Sequence, residues 1–491
     1  MDGLSSADID RFDRARQARD ARFDGLFYIA VRTTRIYCRP ICPAPAAKRE
    51  NIRYYATAAA AAAAGFRPCL RCRPELSPDD RDGRARDQLA DRVLARIHEG
   101  ALDEQDAAGL ADEFAIGERQ LRRLFLTRYG VTPQAAAATH RLHIAKQLLT
   151  ETRLPVIDIA FASGYASLRR FNQAFLAATG MSPTRLRKAG DDDAPVGETQ
   201  TLRLAYRPPC DWPRVLGFLG VRALPGIERV DADAYERALP EHGPNALLRV
   251  SRDSSRDALN LHLESVPTKA IPALAQRVRR MFDLDADPQA IASVLSLDQR
   301  LKHGLATRPG LRVPVGFDAW ETAVRAVVGQ RISVAATRTL LTRLIGDDGR
   351  FPRAAELLDR DLAGIGLTQA RAQTIRALAA AVVDGRVHFR AGQSLDAFVD
   401  TLVALPGIGP WTAHYIAMRA LGHPDAFPFG DLIVRRALGN PTPRIERDMA
   451  EAWRPWRSYV VLHLWTESGE RGTTSACTAC GSTPSTARSA A

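Results

Sequence analysis

No stretch of the 491-residue chain is apolar for long enough to cross a membrane. The most monotonous run, Ala58 to Ala64, is far short of the ~20 apolar residues a spanning helix needs. A secretory leader pattern is missing as well. Cysteine is scarce, and its seven copies are clustered at 38, 42, 69 and 72, then 210, then 477 and 480. That distribution argues against a disulfide framework and for thiol or metal chemistry in a reducing compartment. These absences predict a cytoplasmic protein with no membrane partner.

Basic residues are in excess, and the excess is local. Residues 1–75 carry 14 basic and 8 acidic side chains and residues 84–190 carry 16 and 11, whereas residues 191–491 are nearly balanced at 37 and 34. The first 190 residues therefore hold the positive field expected of a polyanion binder. Length calls for about three or four domains, and composition shifts suggest where they lie. A cysteine-bearing block covers 1–76 and a helical, internally repeated block 84–188. A block opening on the strand-like Thr201-Leu-Arg-Leu-Ala-Tyr206 covers 200–312, and a helical block with Gly/Pro punctuation covers 313–470. Linkers are expected at Ser77–Arg86 and Asp191–Pro195. The tail, 471–491, has too few large apolar residues to pack and is expected to be disordered.

Cys38-x3-Cys42 and Cys69-x2-Cys72 supply four soft thiolates in two close pairs, a set suited to one tetrahedral zinc ion. The competing reading is reduced core cysteines. The surrounding text, Val31-Arg-Thr-Thr-Arg-Ile-Tyr-Cys38-Arg-Pro, Arg49-Glu-Asn-Ile-Arg53 and Ala64-Gly-Phe-Arg-Pro-Cys69-x-Arg-Cys72, resembles the zinc domain of Ada-type alkylation-response proteins over most of residues 9–76. The resemblance implies that Cys38 is both zinc ligand and nucleophile and takes a methyl group from a DNA methylphosphotriester. Cys42, Cys69 and Cys72 would complete the metal site, and Thr34 and Arg67 would contact DNA. Four thiolates on Zn(II) sum to −2, which repels a phosphodiester but tolerates a neutral triester. Methylation of Cys38 leaves −1 and favours binding to ordinary DNA. The chain departs from the family just after the second cysteine, where Pro43-Ala-Pro45 replaces the expected basic residues.

The second block repeats itself. Arg119-Gln-Leu-Arg-Arg-Leu-Phe125 recurs as Arg169-Arg-Phe-Asn-Gln-Ala-Phe175, and each copy ends in Gly-x-(Ser/Thr)-Pro, at Gly130 and Gly180. Two helix-turn-helix motifs follow, able to enter successive major-groove turns ~34 Å apart. The second copy resembles the AraC-type regulators. Their pattern implies recognition helices at 117–128 and 167–178, with Arg119, Arg122, Arg169, Arg170 and Asn172 as groove or phosphate contacts.

In the fourth block, Leu405-Pro-Gly407-Ile-Gly409-Pro-Trp411 lies between helical stretches, where the two glycines permit a tight hairpin whose N–H groups face a phosphate. Downstream, Gly430-Asp431 opens an apolar helix, a position an aspartate takes as a plain N-cap. Together they resemble the helix-hairpin-helix glycosylases of the AlkA type, in which such an aspartate is catalytic. The resemblance implies an aromatic base pocket of Trp411, Tyr415 and Trp465. Trp411 cannot form a Schiff base, so a monofunctional hydrolase is expected. Arg331 occupies the place of the wedge that fills the gap left by a flipped base. Tyr206-Arg-Pro-Pro-Cys210-Asp-Trp212 and Leu216-Gly-Phe-Leu-Gly220 resemble the start of the AlkA-type N-terminal domain. Cys477 and Cys480 are too few for an iron–sulfur cluster, and no Pro-Cys-His-Arg motif of an O6-alkylguanine acceptor is present.

The expected architecture is multidomain α+β: a small α/β zinc domain, an all-α double helix-turn-helix domain, an α/β domain and an all-α helix-hairpin-helix glycosylase core. One zinc ion and no organic cofactor are expected. The partners implied are double-stranded DNA, alkylated and promoter, and RNA polymerase, with the chain acting as a monomer. The rival reading is a regulator whose glycosylase-like half only binds DNA.

Overall fold

Period-two alternation organises the first unit of this computed structural model, which describes residues 6–78, 89–188, 199–346, 349–390 and 392–478. Strands β1 (Tyr28–Val31), β2 (Ile36–Cys38), β3 (Ile52–Tyr55) and β4 (Arg67–Pro68) lie in the order β3-β1-β2-β4. Strand β1 is antiparallel to both neighbours, and β2 and β4 run parallel. Ile29 and Ile52 face helix α1 (Ser6–Gln17) through Phe12, while Tyr28, Ala30 and Tyr37 face helix α2 (Ala58–Ala63). Each face thus carries only a small core, so a metal can contribute folding energy here.

Helices α3 (Leu89–His98), α4 (Ala101–Glu104), α5 (Ala107–Asp112), α6 (Glu118–Tyr129), α7 (Pro133–Glu151), α8 (Val156–Ala162), α9 (Leu168–Thr179) and α10 (Pro183–Lys188) form the second unit. The long helix α7, 19 residues or about 28 Å, joins two copies of one motif. The recognition helices were expected to begin at 117 and 167, and each begins one residue later. Gly117 and Ser167 are the N-caps, with the Ser167 hydroxyl accepting from Arg170 N–H. Both helices end on glycines in the left-handed region, Gly130 (φ 69°) and Gly180 (φ 74°).

The third unit is an antiparallel sheet of β5 (Thr199–Ala205), β6 (Glu228–Val230), β7 (Ala234–Ala238), β8 (Leu247–Arg252) and β9 (Ala258–Glu264), ordered β5-β9-β8-β7-β6. Helices α11 (Trp212–Gly220) and α12 (Ile271–Met281) pack with it. Its core is continuous with that of the second helix-turn-helix: Leu142, Phe171 and Phe175 belong to the same buried cluster as Leu202, Leu248 and Leu261.

Helices α13 (Pro288–Leu295), α14 (Gln299–Thr307), α15 (Ala319–Val328), α16 (Val334–Thr342), α17 (Gln369–Val383), α18 (Leu395–Val403), α19 (Pro410–Ile416), α20 (Leu432–Ala437), α21 (Pro443–Glu451) and α22 (Arg457–Thr478) build the helical half. They close around a core that includes Trp453, Trp456 and Tyr459. The disorder expected from residue 471 is corrected in part: α22 runs on to Thr478, because extending a helix already anchored by packing adds one hydrogen bond per residue without a new nucleus. Residues 479–491, Cys480 included, lie outside the described residues, as do 79–88 and 189–198, which take in most of the first expected linker and all of the second. Among the described residues no helix is long and apolar enough to cross a membrane.

Candidate functional site

The sheet of the first unit brings the two cysteine pairs together. Cys38 ends β2, Cys42 follows in the next turn, and Cys69 comes directly after β4, the parallel neighbour of β2. All four Sγ atoms lie within 4.8 Å of one another, Cys42 and Cys69 at 4.0 Å. A tetrahedron with Zn–S bonds of ~2.3 Å has edges of about 3.8 Å, so the donor set fits one zinc ion with little adjustment. Hydrogen bonds among the crowded thiols hold Cys42 and Cys69 below the usual thiol range and push Cys38 and Cys72 above it. A divalent cation relieves that competition by accepting all four as thiolates. Cys69 and Cys72 are buried, whereas Cys38 and Cys42 are partly open, so burial leaves Cys38 and Cys42 the more accessible pair.

Two residues that the sequence reading missed hold this cluster. The Arg39 backbone N–H donates to Cys72 Sγ (3.3 Å) and its side chain to the Cys72 carbonyl (3.0 Å). The same guanidinium is gripped by buried Asp24, from Nε to Oδ1 at 2.8 Å. Asp24 lies fourteen residues before Cys38 and no spacing rule points to it. Thr34 and Arg67, the expected DNA contacts of this unit, are exposed. Arg67 lies over the end of α9, where any side chain at Gly180 would overlap its guanidinium.

On the second unit Arg119, Arg122, Arg169, Arg170 and Asn172 all stand on the exposed faces of α6 and α9, opposite the buried Leu121, Phe125, Phe171 and Phe175. The chain thus offers polar groups at the two positions a double helix-turn-helix needs.

The helical half gathers its expected residues around Asp431. This aspartate is the N-cap of α20, and its Oδ1 accepts from the N–H groups of Ile433 and Val434, each at 3.0 Å. Both tryptophans expected to stack on a base also donate to this carboxylate, Trp465 Nε1 to Oδ1 at 3.0 Å and Trp411 Nε1 to Oδ2 at 3.1 Å. Trp411 stacks on Tyr415 (centroids 5.2 Å apart, 15° between planes), and Trp465 stands 6.2 Å from Tyr415. All three aromatic residues are half-buried. The Asp431 turn is itself held, since Gly430 N–H donates to the fully buried Glu446 at 3.1 Å, a support without a sequence signal.

The hairpin is pinned too. Gly407 has φ 81°, and a Cβ there would meet Thr374 Oγ1 at 1.9 Å, whereas Gly409 (φ −89°) has open space around it. Gln330 donates to the Gly407 carbonyl (3.1 Å) and to Thr412 (2.9 Å). The next residue, Arg331, is therefore beside the hairpin, exposed and left-handed (φ 57°). The α/β unit reaches these rings through Arg222, which interacts with Tyr415. Arg222 stacks on Phe218 at 3.7 Å, and burial lowers its pKa while the Tyr415 hydroxyl partly offsets this. The fully buried Arg419 reaches the same ring at 4.4 Å, and burial lowers its pKa to about 10. Cys210, by contrast, packs against the core of the α/β unit, and burial raises its thiol pKa, an inert setting.

The sequence matches three family models: "Metal binding domain of Ada" over residues 11–75, "Helix-turn-helix domain" over 110–189 and "AlkA N-terminal domain" over 201–318. It is 39% identical to a probable bifunctional transcriptional activator/DNA repair enzyme AlkA of Mycobacterium tuberculosis, over 94% of this chain and 96% of that one. It is 33% identical to DNA-3-methyladenine glycosylase 2 of Escherichia coli over 54% of this chain and 97% of the relative. It is also 34% identical to the bifunctional transcriptional activator/DNA repair enzyme Ada of the same organism, over 36% of this chain and 48% of the relative.

Proposed function

The chain belongs to the family of bifunctional transcriptional activator/DNA repair enzymes that join an Ada-type metal-binding and helix-turn-helix part to an AlkA-type glycosylase, and on that premise we propose that it senses one form of DNA alkylation and excises another. The observation that carries the repair half is the Asp431 carboxylate, gripped by two backbone N–H groups and two indoles.

Three of the four donors fall on Oδ1, so Oδ2 keeps the spare acceptor capacity. It faces the sugar as the bond from C1′ to an alkylated base breaks, and it stabilises the oxocarbenium charge while water adds to C1′. Trp411, Tyr415 and Trp465 stack on the extruded, electron-poor base. Gly407 and Gly409 hold the backbone, and Arg331 fills the gap left in the duplex.

At the other end, a bound zinc ion held by Cys38, Cys42, Cys69 and Cys72 keeps the sulfurs deprotonated. Cys38 Sγ attacks the methyl carbon of a methylphosphotriester. The S–C bond forms as the C–O bond breaks, and the electron pair leaves on the phosphate oxygen as a diester. Thr34 and Arg67 hold that strand, while Arg119, Arg122, Arg169, Arg170 and Asn172 read the promoter. Methylation relieves two-fold negative charge to one and tightens promoter binding, which recruits RNA polymerase. The protein works as a monomer in the cytoplasm. Its division at 1–76, 84–188, 200–312 and 313–470 separates acceptor, reader, pocket wall and catalytic core.

The test is release of 3-methyladenine from alkylated duplex DNA by wild type and by Asp431→Asn, which still caps α20. Release by wild type and a loss of a hundredfold or more in the variant is expected. Equal release by both removes Asp431 from catalysis, and no release by wild type leaves a regulator alone. A gain of one methyl on Cys38 after exposure to triester DNA, read by mass spectrometry, tests the sensor half.

A further inference from the structure

The hairpin leading into the Cys38 strand carries three arginines that no carboxylate pairs with among the described residues. Arg32, Arg35 and Arg53 are all exposed. Together with Thr33, Asn51 and Phe66 they line one open groove of about 450 Å³. Other exposed arginines of this unit do have an acidic neighbour, Arg22 on Asp20 and Arg49 on Asp13. Here three arginines line one groove without one.

The backbone makes the arrangement stricter. Arg35 has φ 56°, a conformation that a tight turn normally gives to glycine and that costs an ordinary side chain about 1 kcal/mol. The turn is nonetheless well made, with Arg35 N–H bonded to the Val31 carbonyl at 2.9 Å and Arg32 N–H to the Asn51 carbonyl at 2.8 Å. The Arg35 guanidinium lies over the Phe66 ring at 5.4 Å, which fixes a long side chain that would otherwise sweep solvent. Arg35 also touches the expected DNA-contact strand: its carbonyl accepts from Arg67 N–H at 2.8 Å. Three residues along β2 is Cys38, about 10 Å away.

We propose that this groove is a phosphodiester subsite, in which Arg32, Arg35 and Arg53 hold a DNA backbone phosphate near the methylated one. The subsite rests on the methyl-acceptor reading of Cys38 and deepens it. It supplies cations in a unit whose Pro43-Ala-Pro45 segment carries none. An arginine at this strained position brings a fork-shaped donor set that matches a phosphate in a way glycine cannot. The groove also reconciles the charge logic of the sensor. The anionic cluster repels a diester at Cys38 itself, so the neighbouring diesters must be gripped some distance away.

The test follows methyl transfer to Cys38 of the full, zinc-loaded chain by mass spectrometry, using two substrates. One is a dinucleoside methylphosphotriester with no flanking phosphate; the other is a short single-stranded oligonucleotide with one central triester. The variant is Arg35→Gly with Arg53→Thr. Glycine suits φ 56° better than arginine and threonine suits an exposed strand, so the fold is kept; bound zinc is measured to verify it. Wild type is expected to prefer the oligonucleotide, and the ratio of its rates at 50 and 200 mM salt should shrink by about threefold in the variant for each phosphate no longer held. Transfer from the dinucleoside should be unchanged, and Arg35→Lys with Arg53→Lys should keep most of the salt dependence. An unchanged oligonucleotide rate and salt slope in the Gly/Thr variant overturns the subsite, as does an equal loss on both substrates. If wild type methylates Cys38 from neither, the acceptor reading falls and the subsite with it.

Discussion

Lys146 Nζ, on the inner face of α7, donates to the Glu75 carboxylate at 2.5 Å, and neither side chain is exposed by more than 1%. Glu75 lies three residues past the last cysteine of the cluster, and the same ammonium donates to the Cys69 carbonyl at 3.1 Å. Tyr37, one residue before Cys38, meets His143 one turn along the same helix at 3.0 Å. The sulfur cluster is therefore seated on the helix that joins the two helix-turn-helix motifs. Arg73 Nε also donates to Glu75, at 3.1 Å, so loss of the ammonium leaves the carboxylate one partner and costs less than the about 3–5 kcal/mol of a fully stranded buried charge. Lys146→Met is expected to lower the unfolding free energy in urea by about 1–3 kcal/mol, and Lys146→Met with Glu75→Gln to recover part of it. A single-variant loss below about 1 kcal/mol would mean that the pair does not fasten sensor to regulator.

The two indole N–H groups on Asp431 separate orientation from stacking. Trp465→Phe and Trp411→Phe keep an aromatic face for the base but each remove one donor to the carboxylate. A hydrogen bond to a charged group contributes about 1.5–3 kcal/mol, so the excision rate on saturating DNA should fall by about tenfold or more, with little change in the DNA concentration giving half-maximal rate. If the tryptophans act only by stacking, that concentration rises instead and the rate holds.

Gly407 and Gly409 were marked together by the sequence, yet the structure gives them unequal weight. An alanine Cβ at 407 would sit on Thr374 Oγ1 and force a residue into φ 81°, whereas 409 has a negative φ and free space. Gly407→Ala should cost about 1–3 kcal/mol in thermal or urea unfolding and weaken DNA binding. Gly409→Ala should cost about 0.5 kcal/mol, the loss of a tolerated N-cap. Equal effects would show that the hairpin does not depend on the left-handed turn.

What was legible in the sequence was local. The cysteine pairs, the glycines that end α6 and α9 and the aspartate that opens α20 are all set by neighbours within a few residues. What escaped joins distant segments: Asp24 to Arg39, Glu446 to Gly430, Lys146 to Glu75. A lysine in an alternating helix reads as a solvated charge, because the pattern marks the apolar face but not what will cover the other. For the same reason the core shared by Phe171 and Leu202 could not be foreseen from two blocks that each look self-sufficient. The continuation of α22 beyond Glu470 was missed because composition speaks to packing and not to a helix already nucleated upstream.

His463 gives the fold a pH dependence whose sign can be worked out. Burial lowers its pKa to about 4, with Arg308 nearby pushing the same way. His414, near the pocket, is lowered to about 4 by burial, and Arg457 adds to it. The folded state thus keeps both rings neutral while the unfolded chain takes up protons below about 6.5. Between about 6.5 and 4 the unfolded state binds more protons, so stability is full above that window and is lost as the pH falls through it. From pH 7 to pH 5 the loss should be about 2 kcal/mol for His463. Acid also protonates the zinc thiolates, so wild type alone cannot isolate the histidine. The readout is the difference between wild type and His463→Leu in urea unfolding at the two pH values, in which the contribution of the cluster cancels. The variant should lose less stability than wild type on going to pH 5; a parallel loss would place the acid sensitivity in the metal cluster and not in α22.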